Sequence, residues 1–212
     1  MIRTAILVLL FAFNAHGKPD FLSLFKNEKP IIAAIMVEKD LSTPAKVDKA
    51  LNWSLEQIKI AEAHNMDGIL FEFRGGKILD PKMTEEKFKP MKKISKALVK
   101  ASKKLVVGVE ILWHYQEETL RLAKESGAAF VRVDFFSDEV MADKKKVPIN
   151  PEKLMAYKKK IGAGNVALLT DIQVKYSKMI DPKIPLDFSA KRAREKGSDG
   201  LIVTSTKSGT AP

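Results

Sequence analysis

The 212-residue chain contains no cysteine, which excludes disulfides, thiolate-bound zinc and thiol nucleophiles. Histidine is scarce, and no His-x-x-x-His pair occurs to suggest a helical metal site. No serine stands in a nucleophile-elbow context, and no Gly-x-Gly-x-x-Gly loop marks a dinucleotide site. The longest unbroken apolar run, Ala5 to Phe13, is too short to span a bilayer. Arginine is also rare. Only six of the 37 basic residues are arginine, although the formal charge is +11. A nucleic-acid reader leans on arginine forks and interleaved aromatics, so this lysine excess reads as a solvated coat with no nucleic-acid partner. Weak attraction to anionic membrane or cell-surface material is the alternative.

The chain begins like an exported protein. Met1-Ile2-Arg3 is a short positive start, the apolar run follows, and Ala15-His16-Gly17 puts small residues at the −3 and −1 positions of a cleavage site. This predicts a signal peptide over residues 1–17, with a periplasmic or secreted product if it is cleaved and a cytoplasmic one if not. A buried N-terminal strand or helix is the competing reading of the same run.

From residue 18 to 212 the pattern is that of one domain. Apolar runs at Ile31–Val37, Gly68–Phe73, Leu105–Leu112, Phe130–Phe136, Val166–Ile172 and Leu201–Ser205 alternate with longer polar stretches of helical period. Such alternation predicts βα units on a parallel sheet, the strands apolar on both faces. Thr43-Pro44, Thr84 and Asn150-Pro151 read as helix starts, and Gly127, Gly162 and Gly197 as helix ends. The segments Ala61–Gly68, Ala123–Phe130 and Ala193–Gly200 align as helix end, turn and strand start, about two βα units apart. The fold class expected is α/β, a TIM-type (βα)8 barrel showing about six strands where a closed one has eight. The open doubly wound sheet is the competing architecture, and unpaired edge strands make oligomerisation plausible.

In such a barrel chemistry sits at the C-terminal strand ends. Four successive strands finish on acids: Glu72, Glu110, Asp134 and Asp171. These repel unless cations or hydrogen-bond donors intervene. Arg132 shares a face with Asp134, Lys175 follows Asp171 by four residues, and Arg74 follows Glu72 by two. Two functional readings are open. Oxygen-only ligands would suit a divalent cation such as magnesium or manganese. Alternatively, one carboxylate acts as general base, with Lys175 or Arg132 steadying an anion. A purely structural ion-pair network is the plainer possibility. His114 could shuttle protons or stack on a ligand, and the hydroxyl-rich ending with Thr204 and Gly209 could cradle a phosphate.

Ala128-Ala129-Phe130-Val131-Arg132-Val133-Asp134, Leu168–Lys175 and Asp199-Gly200-Leu201-Ile202-Val203-Thr204 resemble successive strand motifs of the BtpA/SgcQ family. The resemblance runs over roughly residues 29 to 212. It implies a βα barrel related to phosphate-binding barrels, with two further strands. It also implies either of two roles: a role in photosystem I accumulation, as in the family's name, or a place among sugar-metabolism genes. Asp171, Lys175, Arg132 and Glu72 keep the family pattern. Gln173 replaces a histidine, Glu110 and Asp134 replace asparagines, and the first-strand loop is Met36–Leu41 where the family has His-Leu-x-Pro-Leu-Pro-Gly. The function expected is action on a small polar or phosphorylated metabolite through the strand-end acids. The alternative is a non-catalytic assembly or binding factor for a membrane protein complex.

Overall fold

A computed structural model of the chain describes residues 21–37, 40–75 and 83–204. The leader expected over residues 1–17 and the glycine at 209 lie outside the described residues. After a 3-10 turn at Phe21–Leu24 the elements are β1 (Ile32–Met36), α1 (Pro44–Ala63), β2 (Gly68–Arg74), α2 (Glu85–Ala101), β3 (Val106–Leu112), α3 (Gln116–Ser126), β4 (Phe130–Val133), β5 (Val140–Ala142), β6 (Lys145–Lys146), α4 (Pro151–Lys160), β7 (Ala167–Ile172), β8 (Lys178–Met179), α5 (Leu186–Lys196) and β9 (Gly200–Val203).

Six strands form one sheet in the order β1-β2-β3-β4-β7-β9, and every pairing within it is parallel. Each strand lies beside the next one in the barrel sequence. This is the single winding of a βα barrel, not the reversed order of a doubly wound sheet. Among the described residues β1 and β9 each pair on one side only.

Helix ends form where local chemistry satisfies orphan backbone groups. The Thr43, Thr84 and Asn150 side chains accept from the backbone N–H of Lys46, Lys87 and Lys153 at 3.4, 3.3 and 2.8 Å. Pro44 and Pro151 occupy first-turn positions, where a missing N–H does no harm. Gly127 and Gly197 close α3 and α5 at φ +83° and +114°, a region that a Cβ disfavours.

The internal repeat has a physical meaning. Asp67 and Asp199, at equivalent strand starts, each bind a backbone N–H of the neighbouring strand's segment: Ile31 at 2.8 Å and Leu168 at 2.8 Å. The middle copy has Ala129 at that position and makes only backbone bonds, to Val107 and Ala167.

Period-two alternation splits the sheet into two faces. Ile69, Phe71, Val109, Val131 and Leu168 point outward and pack with Ile94, Leu98, Leu120 and Leu154 of the helices. The inner face changes character along its length. Near the strand starts Leu70, Phe130, Ala167 and Leu169 form a dry layer, closed from below by Phe21, Leu24 and Phe25. Toward the strand ends the same face carries Glu72, Glu110, Arg132 and Asp171, with Glu110 and Asp171 fully buried and Glu72 and Arg132 nearly so. The inner face is therefore apolar in its lower half and charged toward the strand ends, where the sequence pattern places the four acids.

Two local outcomes differ from the apolar runs. The fourth strand stops at Val133, because Phe135 turns away to join Val140, Ala142, Val147 and Val174 in a separate small core. That core underlies a three-stranded antiparallel sheet, β6-β5-β8, too short to show a period in sequence. Its hairpin turns at Asp143 and Lys144, both at positive φ (48° and 62°), as a two-residue loop between twisted strands requires. Lysine is also not all coat. Lys158 is buried and pairs with Asp199 at 3.3 Å.

Gly108 tests the inner packing. A Cβ there would lie 2.2 Å from the Phe130 ring, whereas one at Gly164 meets nothing within 4 Å. Gly108→Ala should lower stability by about 1–3 kcal/mol in urea unfolding through overpacking, and Gly164→Ala should change it by less than about 1 kcal/mol.

Candidate active site at the strand ends

Sheet register assembles the polar layer. Glu72 and Glu110 are direct partners on β2 and β3. Gly108 pairs with Phe130, which brings Glu110 beside Arg132 two residues further along. Arg132 pairs with Leu169, so Asp171 stands one step above it on β7. Five side chains separated by up to 99 positions thus meet on one inner surface at the ends where the sequence pattern places them.

Arg132 lies at the centre. Its Nε–H and Nη2–H donate to Asp171 Oδ1 and Oδ2, both at 2.8 Å, and its Nη1–H donates to Glu72 Oε1 at 2.9 Å. Asp134 and Glu110 stand further off, at 3.6 and 3.9 Å from the guanidinium. A fork bonded at three points is the strongest form of carboxylate–arginine pairing. The outer two acids share only its residual field. Among the described residues, both Glu110 oxygens and Asp134 Oδ2 are buried without a hydrogen-bond partner.

Their ionisation follows from that shortage. Burial pushes the Glu110 carboxyl well above its ordinary range, and the neighbouring Asp134 charge adds to the effect. Burial likewise pushes Asp134 up to about 7; Arg132 opposes this, while Asp171 and Glu72 reinforce it. Asp171 is raised by burial but held back by its bonds to Arg132 and by the charge of Lys175. Arg132 itself is held more firmly protonated than a free guanidinium, because its acid partners outweigh its burial. Glu110 and Asp134 therefore behave as a pair that keeps a proton near neutral pH.

Lys175 acts on this layer through its charge on Asp171. Its loop is anchored by a residue the sequence reading passes over. Asp138 is buried, accepts the Gln173 backbone N–H at 2.7 Å and pairs with Arg192 at 2.5 Å. Gln173 there takes φ +46°, and its side chain donates to Ile184 O and Ser189 Oγ. His114 follows β3 and stacks on Tyr115 at 4.4 Å between ring centres. Thr204 ends β9 with its hydroxyl buried and lacking a hydrogen-bond partner among the described residues. Arg74 is exposed. Among the described residues no three or more histidine or acidic side chains are arranged to hold a metal ion.

A family model described as the BtpA family matches residues 27–212. The chain belongs to the BtpA family. A mitochondrial protein of Caenorhabditis elegans, described only as uncharacterized, is 30% identical over 107 residues, half of this chain and 39% of that protein. Among solved structures, an L-ribulose 3-epimerase matches at 15% identity and TM-score 0.43, covering 82% of this chain and 59% of the other. A 7,8-dihydropteroate synthase from Vibrio fischeri matches at 14% identity and TM-score 0.47, covering 86% and 64%. The matched region thus spans less than two thirds of each of these proteins. Within this BtpA-family barrel, the two acids that stand where family resemblance expects asparagines are Glu110 and Asp134. They carry the strand-end carboxylate oxygens that are buried without a hydrogen-bond partner among the described residues.

Raised carboxyl pKa values set the sign of the pH dependence. Stability supplied by protonated Asp134 is complete below its unfolded value near 4 and is lost as the pH climbs through about 7. Surface acids held low by lysines, such as Glu139 with Lys146, act in the opposite sense below about pH 4, but they are exposed and screened. Unfolding free energy should therefore fall, by an amount on the order of a few kcal/mol, between pH 5 and pH 8. Asp134→Asn should flatten that decline in denaturant titrations; an unchanged slope would contradict the assignment.

Proposed function

We propose that the strand-end layer binds a small polar metabolite and moves a proton on it, with the Glu110–Asp134 pair as the acid–base group. The observation that carries this reading is the pair itself: two buried carboxylates, short of hydrogen bonds, holding one proton near pH 7 at the end of the barrel where such folds do chemistry. Asp171 and Glu72 fix the Arg132 fork, and the fork keeps the pair from both losing and gaining a full proton. Lys175 favours the ionised form of Asp171 and so keeps it available to Arg132. A structural network alone would have little need of buried carboxylate oxygens left without a partner.

Proton transfer is readable without a known substrate. A pooled metabolite extract incubated with the protein in D2O should gain deuterium in one compound, detected by mass spectrometry. Glu110→Gln and Asp134→Asn should each reduce the rate by at least about 100-fold, and Asp171→Asn and Glu72→Gln should weaken binding in calorimetry while the fold persists. Labelling that survives both acid substitutions would end the proposal.

A second reading, an assembly or binding role without catalysis, is favoured by the sheet edges. Trp53 on α1, Phe188 on α5 and Val203 on β9 are each 44–52% exposed, an apolar display at both unpaired sides. If a partner covers it, Trp53→Ser combined with Phe188→Ser should abolish that partner's co-purification and leave deuterium labelling intact. Among the described residues no helix is long and apolar enough to cross a membrane.

A further inference from the structure

Among the described residues the strand-end layer is richer in acceptors than in donors. Arg132 has its Nε, Nη1 and Nη2 engaged by Asp171 and Glu72. Glu110 Oε1, Glu110 Oε2 and Asp134 Oδ2 remain as buried acceptors with nothing bonded to them, on side chains only 1% and 3% exposed. The charged groups facing the pair are Glu72 from β2, Arg132 from β4 and Asp171 from β7, with Lys175 acting on Asp171 from the following loop. Four acids thus converge on one fully shared guanidinium.

That imbalance discriminates among ligands. A phosphate ester would bring further negative charge to a place already short of cations. A neutral polyol would offer donors but leave the charge uncompensated. A small cation bearing two N–H groups would meet both needs, since a planar N–C–N fork can bond two carboxylate oxygens at once. The chain's overall charge of +11 works against any cation at long range, so such a preference could arise only from this local cluster.

We propose that the Glu110–Asp134 pair is the recognition site for a small nitrogen cation of the amidinium or guanidinium type, in preference to phosphate esters and polyols. This rests on reading the strand-end layer as a ligand site. The cation takes the place of the proton the pair otherwise shares, so binding expels that proton to solvent. Glu72 and Arg132, each 11% exposed, mark the side from which the pair is reached.

The test is titration calorimetry of the full chain with acetamidinium chloride, inorganic phosphate and glycerol, at pH 6 and pH 8, in two buffers of different ionisation enthalpy. Acetamidinium should bind, release up to one proton, and tighten about tenfold from pH 6 to pH 8, as expected when a competing proton leaves with a pKa of about 7. Glu110→Gln, of the same shape and without the charge, should lose this binding while melting no lower than the parent. The exposed control Asp48→Asn, paired only with Lys93 at the surface, should bind as the parent does. Phosphate or glycerol binding that depends on Glu110, with none for acetamidinium, overturns the charge preference and leaves the site standing. Acetamidinium binding indifferent to both Glu110→Gln and Asp134→Asn overturns the location. No binding by any probe overturns the proposal as well, whereas the acid–base role is judged separately by deuterium labelling.

Discussion

The guanidinium of Arg132 is the constraint around which the upper half of the barrel is arranged. Its three hydrogen bonds go to two of the four strand-end acids, Asp171 and Glu72. A buried ion pair gains little net stability once desolvation is counted; a buried cation with surplus acids gains less. The surplus is held by protons instead. What the fold obtains from the arrangement is therefore a place where a proton is weakly held in a dry setting, above a sealed apolar floor of Leu70, Phe130 and Leu169.

Much of this was legible in the residues. Each of the four acids closes an apolar run, so their convergence follows from the parallel winding alone. The shared face of Arg132 and Asp134 follows from a spacing of two. The pairing of Arg132 with Asp171 is less accessible, since it spans 39 positions and depends on the register between β4 and β7. Which two acids would be left outside the fork depends on whether they stand at 2.8–2.9 Å or at 3.6–3.9 Å from the guanidinium, and no pattern carries that.

Other features escaped for identifiable reasons. Asp138 lies beyond the end of β4, where no periodicity marks it, yet it holds the backbone of Gln173 and through it the loop bearing Lys175. Lys158 sits within a run of three lysines, and only the helix phase of α4 turns it inward toward Asp199. The alternation of strands and helices named the architecture correctly. It did not reveal that the inner face changes from apolar to charged halfway along, because the acids and the dry layer occupy the same two-residue rhythm.

The small sheet β6-β5-β8 has a consequence of its own. β5 and β6 belong to the segment after β4 and β8 to the segment after β7, and β5 bonds to both its neighbours. The two segments that leave Asp134 and Asp171 are therefore stitched into one rigid piece. An insertion or deletion within the paired stretches of one would throw the other out of register, so along those stretches the two segments are free to vary in length only together.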